Sequence, residues 1–119
     1  MKINQFVGND IVILELHGRL TVETYPEYRA AVAKVLDQGW SRVIVDLQNI
    51  AYLDSAGLGS LVGAYTSSRR RGTRMVFVRV FGKNRELLRI TKLLTVFDVY
   101  ETTLEAERSF ARPSEAQVM

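Results

Sequence analysis

The side chains best placed for chemistry are an adjacent acid and alcohol, Asp54-Ser55, followed by Ala56-Gly57-Leu58-Gly59. An apolar run (Val43, Ile44, Val45, Leu47) precedes them and reads as a buried strand. Leu58, Leu61, Val62 and Tyr65 follow at helical spacing. Ser55 therefore falls where a strand gives way to a helix. Backbone N–H groups without intrahelical partners and the positive end of a helix dipole gather at such a point. A hydroxyl there can cap the helix, or it can carry a phosphate. Asp54 has two matching readings: a cap or turn residue, or a fixed charge beside a modified serine.

Other chemistry is poorly supported. Ser55 has no Gly-x-Ser-x-Gly setting, and His17 is the sole histidine, so a catalytic triad lacks support. No cysteine is present, which removes disulfides and thiolate metal sites and fits a reducing compartment. A single histidine argues against a histidine-based metal site. Neither a Walker loop nor a dinucleotide fingerprint occurs. No enzymatic activity, metal or cofactor is expected. Arg69, Arg70, Arg71 and Arg74 form the one dense basic cluster. It lacks interleaved aromatic stacking groups and reads as the solvated C-terminal end of a helix, so direct nucleic-acid binding is not expected. Trp40, after Gly39, reads as a packing residue, and His17 receives no role.

Composition sets the frame. The chain has 119 residues, 47% hydrophobic and 24% charged, with a formal net charge of +3. That is ordinary globular material with enough apolar content for one core. No apolar run is long enough to span a bilayer, and the first residues show no leader-like apolar stretch. The expectation is a soluble, cytoplasmic protein with no membrane association, a monomer or weak homodimer.

The elements that must position the Asp54-Ser55 pair follow from pattern. Met1 to Phe6 is a candidate edge strand, joined through Gly8-Asn9-Asp10 to a strand over Ile11 to Leu16. Thr24 is placed to cap a helix with Pro26 in its first turn and Tyr28, Ala31, Val32, Val35 and Leu36 on its apolar face; Gly39 follows its end. Arg42 to Leu47 is the central strand, followed by a short loop to Asp54. The second helix ends in a basic run before Gly72. A strand over Arg74 to Val80, a helix from Lys83 or Asn84, a short strand over Val96 to Tyr100 and a helix from Thr102 or Thr103 through Phe110 complete the order. Residues 111 to 119 lack periodicity and read as a flexible C-terminal tail. Strands alternating with helices predict a mainly parallel sheet with right-handed crossovers.

Asp54-Ser55-Ala56-Gly57-Leu58-Gly59, set between that strand and that helix, resembles the STAS domain of bacterial anti-sigma-factor antagonists. Gly18-Arg19-Leu20, Leu87 to Leu93, and Val96 to Tyr100 with Leu104-Glu105-Ala106 resemble further parts of the family pattern. The likeness runs from about Ile3 to Phe110, a single STAS domain over 1–110. It implies an α/β STAS fold: a two-layer mixed β-sheet, mainly parallel with an antiparallel N-terminal strand, and about four helices packed mainly on one face. It also implies a partner switch. An anti-sigma factor that is a serine kinase would bind the unmodified chain and phosphorylate Ser55, ending the association. A serine phosphatase of the metal-dependent class would reset it. The docking surface would comprise Asp54, Ser55, Ala56, Gly57 and Leu58, with Thr21 and Thr24 nearby. Thr21 stands where relatives often carry an Asp. STAS domains also serve as scaffolds of larger signalling assemblies and as accessory subunits of lipid-transport complexes, which are the alternative roles.

The physics of such a switch leads to further expectations. The helix dipole and the N–H groups of Ala56, Gly57 and Leu58 would accommodate a phosphate within the fold. Gly57 and Gly59 would leave room for a partner's backbone.

Overall fold

A computed structural model describes residues 1–111. Most of the tail expected over 111–119 lies outside the described residues. Five strands form one sheet in the spatial order of the chain. β1 (Lys2–Gly8) runs antiparallel to β2 (Ile11–Leu20), and Asn9 and Asp10 between them both take positive φ. Two such residues make the tight turn whose twist matches a hairpin, and Asn and Asp tolerate it better than most side chains. From β2 onward the neighbours are parallel: β3 (Arg42–Leu53), β4 (Arg74–Val78) and β5 (Val99–Tyr100). Parallel neighbours need crossovers. These are α1 (Tyr25–Asp37), α2 (Ser55–Arg70), and α3 (Gly82–Ile90) with a 3₁₀ turn over Leu93–Thr95. α4 (Thr103–Ala111) closes the described chain. The mixed sheet and four helices match the α/β STAS expectation.

Side-chain alternation divides the sheet into two faces. Val12, Leu14 and Leu16, Val43, Val45 and Leu47, and Met75 and Phe77 meet Tyr28, Val32, Val35 and Leu36 of α1, Leu61 and Ala64 of α2, and Leu88 of α3. The intervening residues Ile11, Ile44, Val76 and Val78 meet Ala106 and Phe110 of α4. So α1, α2 and α3 share one core, while α4 covers part of the other face. β3 and β4 are buried on both sides, which is why their sequences read as continuous apolar runs.

Several boundaries differ from the pattern reading, each for a local reason. β2 continues past Leu16 to Leu20, and β3 past Leu47 to Leu53. The stretch read as a loop is strand paired from His17↔Asn49 to Leu20↔Leu53, with register irregularities after Glu15 and Gly18. Those irregularities break the alternation by which strands are recognised. β4 ends at Val78 rather than Val80, because Arg79 takes φ +58 and turns its guanidinium onto the buried Asp46. Asp46 also accepts from Gln48 N at 3.0 Å, so this nearly inaccessible carboxylate is fully engaged. α3 starts at Gly82, ahead of the expected Lys83 or Asn84. The last strand shrinks to Val99–Tyr100, since Leu93–Thr95 coils and the backbone N of Val96 and of Phe97 donates to Leu93 O.

Tyr28 is the exception to good pairing. It is fully buried on α1, and its hydroxyl has no hydrogen-bond partner among the described residues. Burial pushes its phenol pKa up, far from ionisation. An unpartnered buried hydroxyl is a liability that a ring of the same shape removes. Tyr28→Phe should leave stability unchanged or raise it by about 1 kcal/mol, read as a shift in the urea midpoint without a change in slope.

Candidate functional site

The long β2–β3 ladder delivers the site. Leu20 and Leu53 are register partners at its end, and one residue, Asp54, separates β3 from α2. Asp54 has extended backbone and is the N-cap of α2. Its Oδ1 accepts from Gly57 N at 2.8 Å, its carbonyl accepts from Leu58 N at 2.9 Å, and its own N–H donates to Leu20 O at 3.3 Å. Its Oδ2 accepts from Val22 N at 3.0 Å, across to the loop between β2 and α1. The Gly57 and then the Val22 hydrogen bond hold the Asp54 carboxyl below the usual carboxylate range.

This arrangement removes the capping reading of Ser55. The cap is Asp54, so the serine hydroxyl is not needed to start the helix. Ser55 is the first residue of α2 and is exposed. Ala56 and Leu58 are half-buried beside it, and Gly57 is buried.

Two expectations about this turn need correction. Of the N–H groups expected to meet a phosphate, Gly57 N is taken by the Asp54 carboxylate and Leu58 N by the Asp54 carbonyl. A phosphate on Ser55 would be tolerated through its exposure and the helix dipole, not through those two donors. The glycines also divide. A Cβ on Gly57 would lie 1.9 Å from Leu20 O, so Gly57 exists for internal contact between α2 and β2. A Cβ on Gly59 would meet nothing within 4 Å, so Gly59 alone opens outward.

Thr21 and Thr24 belong to the loop that Asp54 tethers. Thr24 stands at the N-cap position of α1, as the pattern suggests, but its side chain does not cap that helix. Its hydroxyl donates to Arg19 O at 2.6 Å and accepts from Thr21 N at 2.9 Å, bracing the loop instead. Thr21 accepts from Glu23 N at 3.3 Å. Both threonines thus shape the loop, and Asp54 joins that loop to the start of α2. Pattern reading passed over Val22, which is 61% exposed on the tethered loop, and set Val62 on the apolar face of α2, whereas Val62 is exposed one turn along from Leu58. The available signal for Val22 was a lone β-branched apolar residue among polar ones, with no helical or strand period to bury it.

The remaining candidates sit elsewhere. His17 bonds Glu15 at 2.6 Å, beside Asn4, within the β1–β2 hairpin. Arg71 donates to Leu36 O and to Asp37, Arg74 to Ser109 O and Tyr100 Oη, and Arg69 lies over the Tyr65 ring. These cations of the basic cluster brace their own fold. Trp40 packs against the core. Among the described residues no group of three His, Cys, Asp or Glu side chains is disposed to hold a metal, and no helix is long and apolar enough to cross a membrane.

Comparison with known proteins agrees with this fold. The STAS domain profile matches residues 3–106. An anti-sigma-B factor antagonist of Staphylococcus epidermidis is 28% identical over 103 residues, covering 87% of this chain and 95% of that protein. The crystal structure of a putative anti-sigma factor antagonist from Thermotoga maritima superposes with a TM-score of 0.87 at 24% identity, covering 92% of this chain and 95% of that one. The Bacillus cell fate determinant SpoIIAA in its phosphorylated form superposes with a TM-score of 0.71 at 18% identity, covering 93% of this chain and all of the other, 100%.

The two glycines and the bridging acid can be separated by substitution. Gly57→Ala should cost about 3 kcal/mol or more, because the clash is with backbone oxygen, whereas Gly59→Ala should be neutral or stabilising by up to about 1 kcal/mol. Equilibrium unfolding of both variants checks this. Asp54→Asn keeps an acceptor for Gly57 N but cannot also accept from Val22 N. Amide exchange should accelerate at Val22 while protection within α2 is retained.

Proposed function

The chain belongs to the STAS domain family, and from that premise we propose that it is an anti-sigma-factor antagonist switched by phosphorylation of Ser55. Its curated relatives are named anti-sigma-B factor antagonists. In the unmodified state it binds an anti-sigma factor that is also a serine kinase, and so frees that factor's target. In the modified state it lets go. A metal-dependent serine phosphatase returns it to the binding form. The chain acts as a regulatory ligand rather than as an enzyme.

The observation that carries this reading is the division of labour between neighbours: Asp54 caps α2 and leaves Ser55 exposed at its first position. A side chain with no part in the helix cap can be modified without unmaking the helix. In the transfer, Ser55 Oγ attacks the γ-phosphorus of ATP held by the kinase. The Oγ–P bond forms, the bond to the ADP oxygen breaks, and the hydroxyl proton passes to a base of the kinase. The product carries roughly −1.5 to −2 charge at neutral pH. Asp54 already adds a negative charge next to it. A partner packed over Leu58, Val62, Gly59 and Val22 would have to desolvate that dianion or meet it with like charge, and either disfavours the complex. Apolar groups flanking a small serine suit an interface that closes when the site is neutral and opens when it is charged. Thr21 in place of an acid leaves Asp54 as the fixed negative charge held at this turn by the Val22 and Gly57 hydrogen bonds.

The experiment uses the full chain with candidate anti-sigma serine kinases and ATP, followed by mapping of the phosphate by mass spectrometry. Label is expected on Ser55, with the thermal midpoint little changed. Ser55→Ala should remain bound to the kinase, and Ser55→Asp should bind about tenfold more weakly or worse. Phosphate on another residue, or equal binding by both variants, would overturn the mechanism. A large homogeneous particle on sizing, or co-purification with a transport ATPase independent of Ser55, would favour the scaffold or transport roles instead.

A further inference from the structure

Among the described residues, the sheet edge formed by β1 pairs with no further strand. β1 is first in the strand order, and its contacts lie overwhelmingly with β2, paired from Lys2↔His17 to Gly8↔Ile11. Its outer side presents a row of backbone N–H and C=O groups. Natural edges are usually blunted by charge, proline, a bulge or brevity. Between Ile3 and Val7 this strand has no charge and no proline, and its register is unbroken. Phe6 and Val7, on opposite faces, are 52% and 57% exposed.

We propose that β1 is a docking edge for a second copy of this chain, which pairs antiparallel to it about Gln5. A two-fold axis normal to the sheet keeps each face on its own side, so only residues of like parity can stand opposite one another. The register with Gln5 on the axis engages all seven residues of β1. On one face it sets Ile3 against the partner's Val7 twice, flanking the Gln5 pair. On the other it sets Asn4 against the partner's Phe6 and brings the two Phe6 rings diagonally across the axis, within aromatic reach. At each end Lys2 stands opposite the partner's Gly8, so the two lysines lie at opposite ends of the seam. A parallel alignment would instead bring Lys2 beside Lys2. The edge is thus complementary to itself in one direction, which is the argument for a second copy as its occupant. Two five-stranded sheets would merge into one continuous sheet. Strand pairing alone buries less than the ~1,200–2,000 Å² of a stable interface, so the dimer is weak and reversible. This proposal does not depend on Ser55.

Sedimentation velocity of the full chain over a concentration series tests it. The unaltered protein should show a concentration-dependent monomer–dimer equilibrium. Gln5 is exposed, so Gln5→Lys and Gln5→Glu should fold normally by circular dichroism. Each puts like charges across the axis and should weaken association about fivefold or more. An equimolar mixture of the two should recover the dimer, because the axis pair becomes Lys opposite Glu. A protein that stays monomeric to millimolar concentration, a dimer indifferent to either substitution, or a mixture no better than its components would each overturn the proposal. The first of these outcomes would leave the edge to an extended segment of another protein.

Discussion

One carboxylate holds together the corner at which α2 begins. Asp54 receives an N–H from α2 and an N–H from the loop between β2 and α1, on its two oxygens. Both donors belong to segments that cannot otherwise satisfy them: the first turn of a helix has no earlier carbonyls, and a strand-to-helix loop has no ladder. A single side chain thereby fixes where α2 begins and where Val22 lies relative to it. The same bond set frees Ser55. In many helices the serine at such a junction is the cap; here the preceding acid takes that part, and the hydroxyl is left facing solvent.

That bridge works only because the backbones come close. Gly57 lets α2 approach the Leu20 carbonyl to a distance no side chain would permit, and the Leu20–Leu53 pairing brings the ends of β2 and β3 side by side. The close approach is underwritten by the interior beneath it, where α1 and α2 share a core with the sheet. Away from this corner, the buried Asp46 and the turned Arg79 end β4 and satisfy each other's charge. Among the described residues the buried polar groups are thus mostly paired, and Tyr28 stands apart for lacking a partner.

Much of this was legible in the residues. The continuous apolar runs of β3 and β4 announce strands covered on both faces, and the spacing of Tyr28, Val32, Val35 and Leu36 announces a helix. Asn9-Asp10 announces its turn. Asp54-Ser55 before Gly57 and Gly59 marks the junction. What the pattern hid lies where regularity breaks. The ends of β2 and β3 carry irregular register and polar Gln48 and Asn49, so strand looked like loop. Arg79 ends its strand through a side-chain bond to a residue 33 positions earlier, which no local window reveals. Thr24 has the right identity and position for a cap, yet its hydroxyl turns back to Arg19 and Thr21 because that loop needs bracing.

The sequence by itself determined the element types, the strand-to-helix junction and the adjacency of acid and alcohol, because periodicity, turn chemistry and neighbouring residues are local properties of a chain. Only the tertiary structure decided which of Asp54 and Ser55 caps the helix, which glycine is confined and which is open, and that Val22 lies at the same corner. Those outcomes depend on Leu20 and Val22 meeting Asp54 and Gly57 across more than thirty residues. Contacts between distant segments are set by how whole elements pack, and no short stretch of sequence contains them.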